Sequence, residues 1–215
     1  MRLRVVLTML AVLLLAGASC QPPPVKGQAH PALRDRTITK IAVVPLAIAS
    51  RVPTGEEGFG TSAEVAATIV AHQLTEALAA RGMEVVAPSD VSRALAAEGV
   101  DLAKIPLIEA ARLAAEEFGA DAIMTGRLLR WVEREGGARG AATPAAVGFE
   151  MALRAAPGGA RLWNGTFDER QKPLGENVLV TSQYPGGGTR WLTAEELARW
   201  GAGRLVDAIP LEMSR

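Results

Sequence analysis

The sequence predicts a single α/β domain, with a mixed sheet built on a parallel β-α-β core of three strands, followed by an antiparallel hairpin and a C-terminal helix. Three observations carry that prediction. Short runs rich in β-branched residues at 38–49, 83–88 and 120–135 alternate with amphipathic helical segments. After Glu135 the helical pattern gives way to two strand-like runs around Gly158 and Gly159, the composition of a hairpin turn. A last periodic segment then opens with Thr193 and Glu196 in capping-box spacing and stops at Pro210.

Taken in order, "ITKIAVVPLAIA" (38–49) is nearly continuous in apolar residues, as expected of a strand covered on both faces. The segment 62–82 places Ala66, Ile69, Val70, Leu74, Ala77 and Leu78 on one helical face and ends at Gly82. "MEVVAP" reads as the second strand. "SDVSRALAAEG" (89–99) reads as a short helix capped by Ser89 or Asp90, and 105–119 as another with Pro106 in its first turn. The run 120–135 is a long third strand, and strands joined through helices imply right-handed crossovers. "GGARGAATP" (136–144) reads as a loose turn. Beyond it, 146–156 and 161–171 form the hairpin. In the second of these, Trp163, Gly165 and Phe167 alternate with Asn164, Thr166 and Asp168, predicting a packed face and a wet face on a strand at the sheet edge. Glu169 to Lys172 should lead off the sheet, and Pro173 should end its pairing.

The N-terminus has a different grammar. Arg2 and Arg4 precede an apolar run over 5–15, then "AGASC" brings small residues to Cys20. That run is shorter than the roughly 20 residues a membrane span needs. Cys20 is the only cysteine in 215 residues, so it has no internal disulfide partner. Its setting resembles the lipobox of bacterial lipoproteins, with Gly17 where Leu is usual. The resemblance implies cleavage before Cys20 and acylation of that residue, and Gln21 in place of Asp implies transfer to the outer membrane. The expected organisation is a signal peptide at 1–19, a lipidated cysteine and Pro-rich tether at 20–36, a periplasmic domain at 37–210 and a tail at 211–215. The tether, with its three consecutive prolines, should hold the domain some tens of Å from the membrane, at about 3 Å per residue. His30 within it should simply be solvated. Removal of Arg2 and Arg4 turns a formal charge of zero into −2, which leaves no basic excess to recruit nucleic acid.

Candidate chemistry is sparse. Gly55, Gly58 and Gly60 lie between a strand and a helix, but not in G-x-G-x-x-G spacing. No Gly-Lys-Ser/Thr follows them, and Glu56 and Glu57 would repel phosphate. His72, the only histidine in the expected domain, falls opposite the apolar helical face, so there is no zinc ligand set and no metal or cofactor is expected. No G-x-S-x-G elbow occurs. Glu150, Asp168, Glu169 and Glu176 could approach one another as glycosidase carboxylates do. Aromatic content of only 4% argues against a sugar cleft. Trp131, Trp163 and Trp200 are expected to pack helix against sheet. The flexible "SQYPGGGTRW" leaves Tyr184, Arg190 and Trp191 available for contact, with Trp191 open between packing and partner binding.

The lipobox, the Pro-rich tether, "KIAVVPL", a helix ending "LAARG", "MEVVAP" and "FGADAIMTGRL" together resemble a group of envelope lipoproteins. That group includes the curli-secretion lipoprotein family and lipoprotein activators of penicillin-binding proteins, and its domain is similar to the N-terminal domain of the Tol-system propeller protein. The run Trp163-x-Gly165-x-Phe167…Gln171-x-x-Leu174-x-x-Asn177 is similar to a stretch in uncharacterised lipoproteins of this kind. "GGARGAATP" and "YPGGGT" are too short and Gly-rich to be the pore hairpins of the curli family.

The resemblance implies a tethered, non-catalytic adaptor or assembly factor facing the periplasm from the inner leaflet of the outer membrane. Its partner would be an envelope protein or a peptidoglycan-synthesis or secretion component, with self-association left open. The residues expected to meet it are Asn164, Asp168, Glu169, Gln171, Asn177, Tyr184, Arg190 and Trp191. The alternatives are a carboxylate-dependent hydrolase of cell-wall glycan and a carrier of a small ligand or lipid.

Overall fold

A computed structural model describes residues 24–54, 61–172 and 184–211. Cys20 and the segment before it, the glycines and glutamates of 55–60, and Pro173, Leu174, Glu176 and Asn177 lie outside the described residues.

The predicted α/β class holds. The parallel core consists of β2 (Lys40–Val43), β4 (Glu84–Val86) and β5 (Ala122–Val132), with β2 between the other two. Helix α1 (Ala63–Ala80) links the first half of this core to β4, and α2 (Pro88–Ala97) and α3 (Leu107–Phe118) lead back to β5. A short β3 (Ala47–Ile48) pairs with the far half of β5. The single run expected at 38–49 is therefore two strands, because Pro45 between them has no N–H to give a ladder. Antiparallel β8 (Ala146–Ala155) and β9 (Arg161–Arg170) extend the sheet, and α4 (Ala194–Asp207) closes the chain. Thr193 and Glu196 form the expected reciprocal capping box at the start of α4.

The "GADA" turn has a physical basis. Gly119 takes the left-handed conformation (φ 63°) that ends α3. Asp121 then accepts hydrogen bonds from the Thr39 N–H (2.8 Å), the Thr39 hydroxyl (2.9 Å) and the Lys40 N–H (2.9 Å), which fixes β5 beside the start of β2. Burial raises the Asp121 carboxyl pKa, but these donors outweigh it and leave the group below its ordinary value.

The largest departure from expectation is at the N-terminus. Residues 25–36 are not a tether. Val25–Ala29 form β1, antiparallel to β9, and Pro31–Leu33 form a 3-10 turn whose Leu33 is buried in the core. His30 is exposed, as expected, and its Nδ1 also accepts from the Ala32 N–H at 3.2 Å. The sheet order is β1-β9-β8-β5-β2-β4, so β9 is an inner strand and not the edge it was expected to be. Smaller corrections concern local chemistry. The loose turn expected at 136–144 contains a hairpin of β6 (Glu135–Gly137) and β7 (Gly140–Thr143). Ala87 caps α2 with Pro88 in its first turn, in place of Ser89 or Asp90, and Pro106 is the N-cap of α3.

Helices cover the two faces of the sheet unequally. On one face α1 and α4 close over Ile41, Met124, Phe149, Trp163 and Phe167. Here Trp131 and Trp163 are fully buried, while Trp200 packs against the core and meets Phe167 edge-on with ring centres 5.7 Å apart. Each such side chain contributes about 1.5–3 kcal/mol or more on burial. On the opposite face α2 and α3 form a second core with Ala42, Val44, Val86 and Ile123. The strand residues of that cluster come only from β2, β4 and the first part of β5, so among the described residues no helix covers this face over β9 and β8.

Candidate functional site: an open face of the sheet

Strand pairing sets the open face in rows. Gln28 of β1, Asn164 of β9, Ala152 of β8 and Thr125 of β5 lie side by side. The next row is Lys26, Thr166, Glu150, Arg127 and, across to β3, Ala47. A third runs Asp168, Gly148, Arg130. Side chains two residues apart on a strand share a face, so these rows form one surface. Two charge pairs cross it. Arg127 and Glu150 meet at 2.7 Å, and Arg130 pairs with Asp168 over Gly148. A Cβ at position 148 would sit 2.7 Å from the Asp168 carboxylate, so glycine there gives the pair room to bridge the intervening strand without a shift of Asp168.

At the hairpin end the face dips into a cavity of about 410 Å³. Its charged lining is Arg127, Glu150, Arg154 and Arg161, with Thr125, Asn164 and Thr166 among the polar neighbours and Leu107 of α3 on its border. A register shift between Leu153 and Arg154 sets Arg154 opposite Arg161, leaving Leu162 as the extra residue. That extra residue lets both Leu162 and Trp163 turn into the core while Arg161 stays on the open side.

The structure divides the residues expected to bind a partner. Asn164 and Asp168 are on the open face, as the alternation predicted. Glu169, next to Asp168, points the other way and accepts from the Tyr184 hydroxyl at 2.6 Å. Tyr184 is only 3% exposed, so it is not available for contact. Burial pushes its hydroxyl pKa upward, and the neighbouring Glu169 adds to the effect. Gln171 is likewise 3% exposed. Its amide donates to the Arg190 carbonyl (2.9 Å) and accepts from the Leu192 N–H (2.7 Å). The Arg190 side chain makes two hydrogen bonds to Glu196, at 2.7 and 2.8 Å. The backbone of Trp191 is held by Ala138 and by the Arg134 guanidinium, and its side chain is half-buried. These five residues form a clamp that seats α4 on the sheet. They belong to the fold's support, and Asn177 lies outside the described residues.

Of the carboxylates expected as an alternative catalytic set, the three that are described are dispersed, and Glu176 lies outside the described residues. Glu150 and Asp168 each face their own arginine, and Glu169 is on the opposite side of the sheet. Sequence reasoning missed Arg154 and Arg161. The available signal was their placement on either side of the turn in "LRAAPGGARL", where a hairpin brings them together.

The sequence matches no protein-family model and no curated relative. Several solved structures are similar in fold. The PelC dodecamer from Paraburkholderia phytofirmans aligns over 88% of this chain and 98% of its own, at 15% identity and TM-score 0.46. Lipoprotein GNA1162 from Neisseria meningitidis aligns over 65% of this chain and 85% of its own, at 19% identity and TM-score 0.39. The LpoB C-terminal domain from Escherichia coli aligns over 65% and 93%, at 18% identity and TM-score 0.39. None of these three likenesses reaches a TM-score of 0.5.

Proposed function

We propose that this chain is a lipid-anchored, non-catalytic binding module of the bacterial envelope, held at Cys20 in the inner leaflet of the outer membrane and docking another envelope component on the open sheet face. The observation that carries this reading is the face itself. It is a broad polar surface that no helix covers among the described residues, two charge pairs cross its strands, and its far side is locked to a dense aromatic core. A rigid face of that kind presents hydrogen-bonding groups to a partner at little ordering cost.

The position of β1 gives the reading a geometry. From Cys20 to Val25 the chain spans at most about 18 Å, whatever path it takes. A lipid at Cys20 would therefore keep the domain near the bilayer, with the Val25–Phe167 end of the sheet closest to the anchor. The cavity end, six residues farther along β9, is about 20 Å away from that point.

Intact-mass measurement of membrane-extracted protein tests the anchor. A triacylated chain starting at Cys20, lost in Cys20→Ala, is expected, and an unlipidated chain cut elsewhere would remove the anchor from the reading. Photocrosslinking in cells from position 166, beside the exposed position 76 of α1 as reference, tests the face. Adducts confined to position 166 are expected, and equal labelling at both positions would overturn docking there.

A further inference from the structure

We infer that the Arg154–Arg161 end of the open face is a binding site for a terminal phosphoryl group, the dianionic end of a phosphate monoester. Docking of a protein partner does not require it, so it goes beyond the reading above.

The cavity carries an excess of positive charge. The charged lining of the cavity is three arginines against one glutamate, and Arg127 already satisfies that glutamate. Two positive charges are left over. Neither Arg154 nor Arg161 has a carboxylate partner among the described residues. Their backbones are paired across the hairpin, so the two guanidinium groups emerge from neighbouring strands on one side of the sheet. Like charges set side by side repel, and proteins usually interleave an acid at such a place.

Arg154 is also only partly solvated. One of its terminal nitrogens donates to the Gly159 carbonyl at 3.1 Å, which steers the guanidinium along the turn. Its Nε is buried and has no hydrogen-bond partner. A buried N–H without an acceptor is destabilising. Burial, and then the neighbouring Arg161, lower the Arg154 pKa, so this arginine gains from an anion more than a solvated one would. A bound oxyanion would offset the repulsion between the two guanidinium groups.

The surroundings suit a phosphoryl group better than a carboxylate. Two guanidinium groups can each take a separate oxygen, and a phosphate monoester carries a charge of about −2 near neutral pH, matching the excess. Asn164 and Thr166 line the same cavity and supply neutral donors. The border of the cavity includes Leu107, the first residue of the 12-residue α3. Pro106, its N-cap, gives no side-chain acceptor to the first-turn N–H groups. The positive end of that helix adds to the field. Glu109, the acid in its first turn, is engaged by Arg112. The cavity volume leaves room for a small polar body attached to the phosphoryl group.

Calorimetric titration of the purified full chain with inorganic phosphate, glycerol 1-phosphate, glycerophosphoglycerol and acetate tests the inference. Phosphate and glycerol 1-phosphate are expected to bind, with at least a tenfold loss in Arg161→Gln and in Arg154→Gln. Arg161 is exposed, so its variant keeps the test valid should the half-buried Arg154 variant fold poorly. Arg93→Gln, on the surface of α2, should bind as the wild type does. Equal affinity for the diester would point to a phospholipid headgroup and overturn the match to a dianion, as would equal affinity for acetate. No binding, or binding unchanged in Arg161→Gln, would overturn the site outright. Failure of the crosslinking experiment above leaves this result unaffected, so the two readings fall separately.

Discussion

The indole of Trp163 lies over Gly165, two residues farther along the same strand, so closely that a Cβ at position 165 would sit 2.2 Å from the ring. The ring also reaches the neighbouring strand, where a Cβ at Gly27 would be 3.1 Å away. The polar-looking run 162–171 is thus organised from below. Trp163 needs two glycines paired across β1 and β9, and Phe167 needs a third, Gly201 of α4, whose Cβ would lie 2.5 Å from the phenyl ring.

Gly165→Ala should accordingly destabilise the domain by about 3 kcal/mol, the upper range of overpacking costs. Gly27→Ala should cost less, because a few tenths of an ångström of ring movement relieves it. Gly158→Ala, with nothing within 4 Å of the added Cβ, should change stability by no more than about 0.5 kcal/mol. Urea unfolding of the three variants checks the order, and a Gly165→Ala chain as stable as the wild type would refute this packing.

The clamp at the foot of α4 makes a separate prediction. Gln171→Leu removes one acceptor and one donor, stranding the buried Leu192 N–H and the Arg190 carbonyl. A loss of about 2–4 kcal/mol is expected, since each unsatisfied buried group costs about 1–3 kcal/mol. Hydrogen exchange at the Leu192 amide should rise by more than exchange at the centre of β5. Uniform acceleration at both amides would mean that the clamp is not a local support.

The parallel core, four helices and hairpin were legible because each is a local signal, a 3.6-residue period, an apolar run or a Gly-Gly turn. The alternation around Trp163 was legible for the same reason and placed Asn164 and Asp168 on the correct face. What failed were segments whose structure is decided far away in the chain. "VKGQA" has one inward side chain, Val25, and its hydrogen bonds all depend on β9 some 140 residues later, so its composition reads as linker. Tyr184, Gln171 and Arg190 look like contact residues because they are polar or aromatic. Their partners Glu169, Leu192 and Glu196 become visible only once α4 is seated. Arg154 and Arg161 carry no motif, and only the hairpin register joins them.

Because β1 covers β9, deleting residues 24–36 should do more than shorten a linker. It would expose the outer N–H and C=O groups of β9, including the Leu162 carbonyl that now accepts from His30 at 2.8 Å. Unpaired edges recruit other strands. The deletion variant should therefore associate in a concentration-dependent way by light scattering, with a lowered Tm. A monomer as stable as the full chain would show that β1 contributes nothing to closing the sheet.

The pH dependence of stability should carry the signature of Glu196. Hydrogen bonds from the Arg190 guanidinium, and then from the Thr193 N–H, hold its carboxyl down at about 2, against an ordinary 4.5. A carboxylate depressed in the folded state stabilises the fold fully above its unfolded value, and that contribution disappears as pH falls through the folded value. The window is therefore pH 4.5 down to 2. Glu196→Gln preserves an acceptor for the Thr193 N–H, as glutamine does in capping boxes, while removing the charge that Arg190 meets. The variant should be less stable than the wild type by about 1 kcal/mol at pH 7, a modest value because the pair is partly open to solvent. Its deficit should shrink steadily below pH 4.5 and close near pH 2. Thermal unfolding of both proteins across that range makes the comparison, and a deficit that stays constant with pH would show that the Arg190–Glu196 pair is not what holds this carboxyl charged.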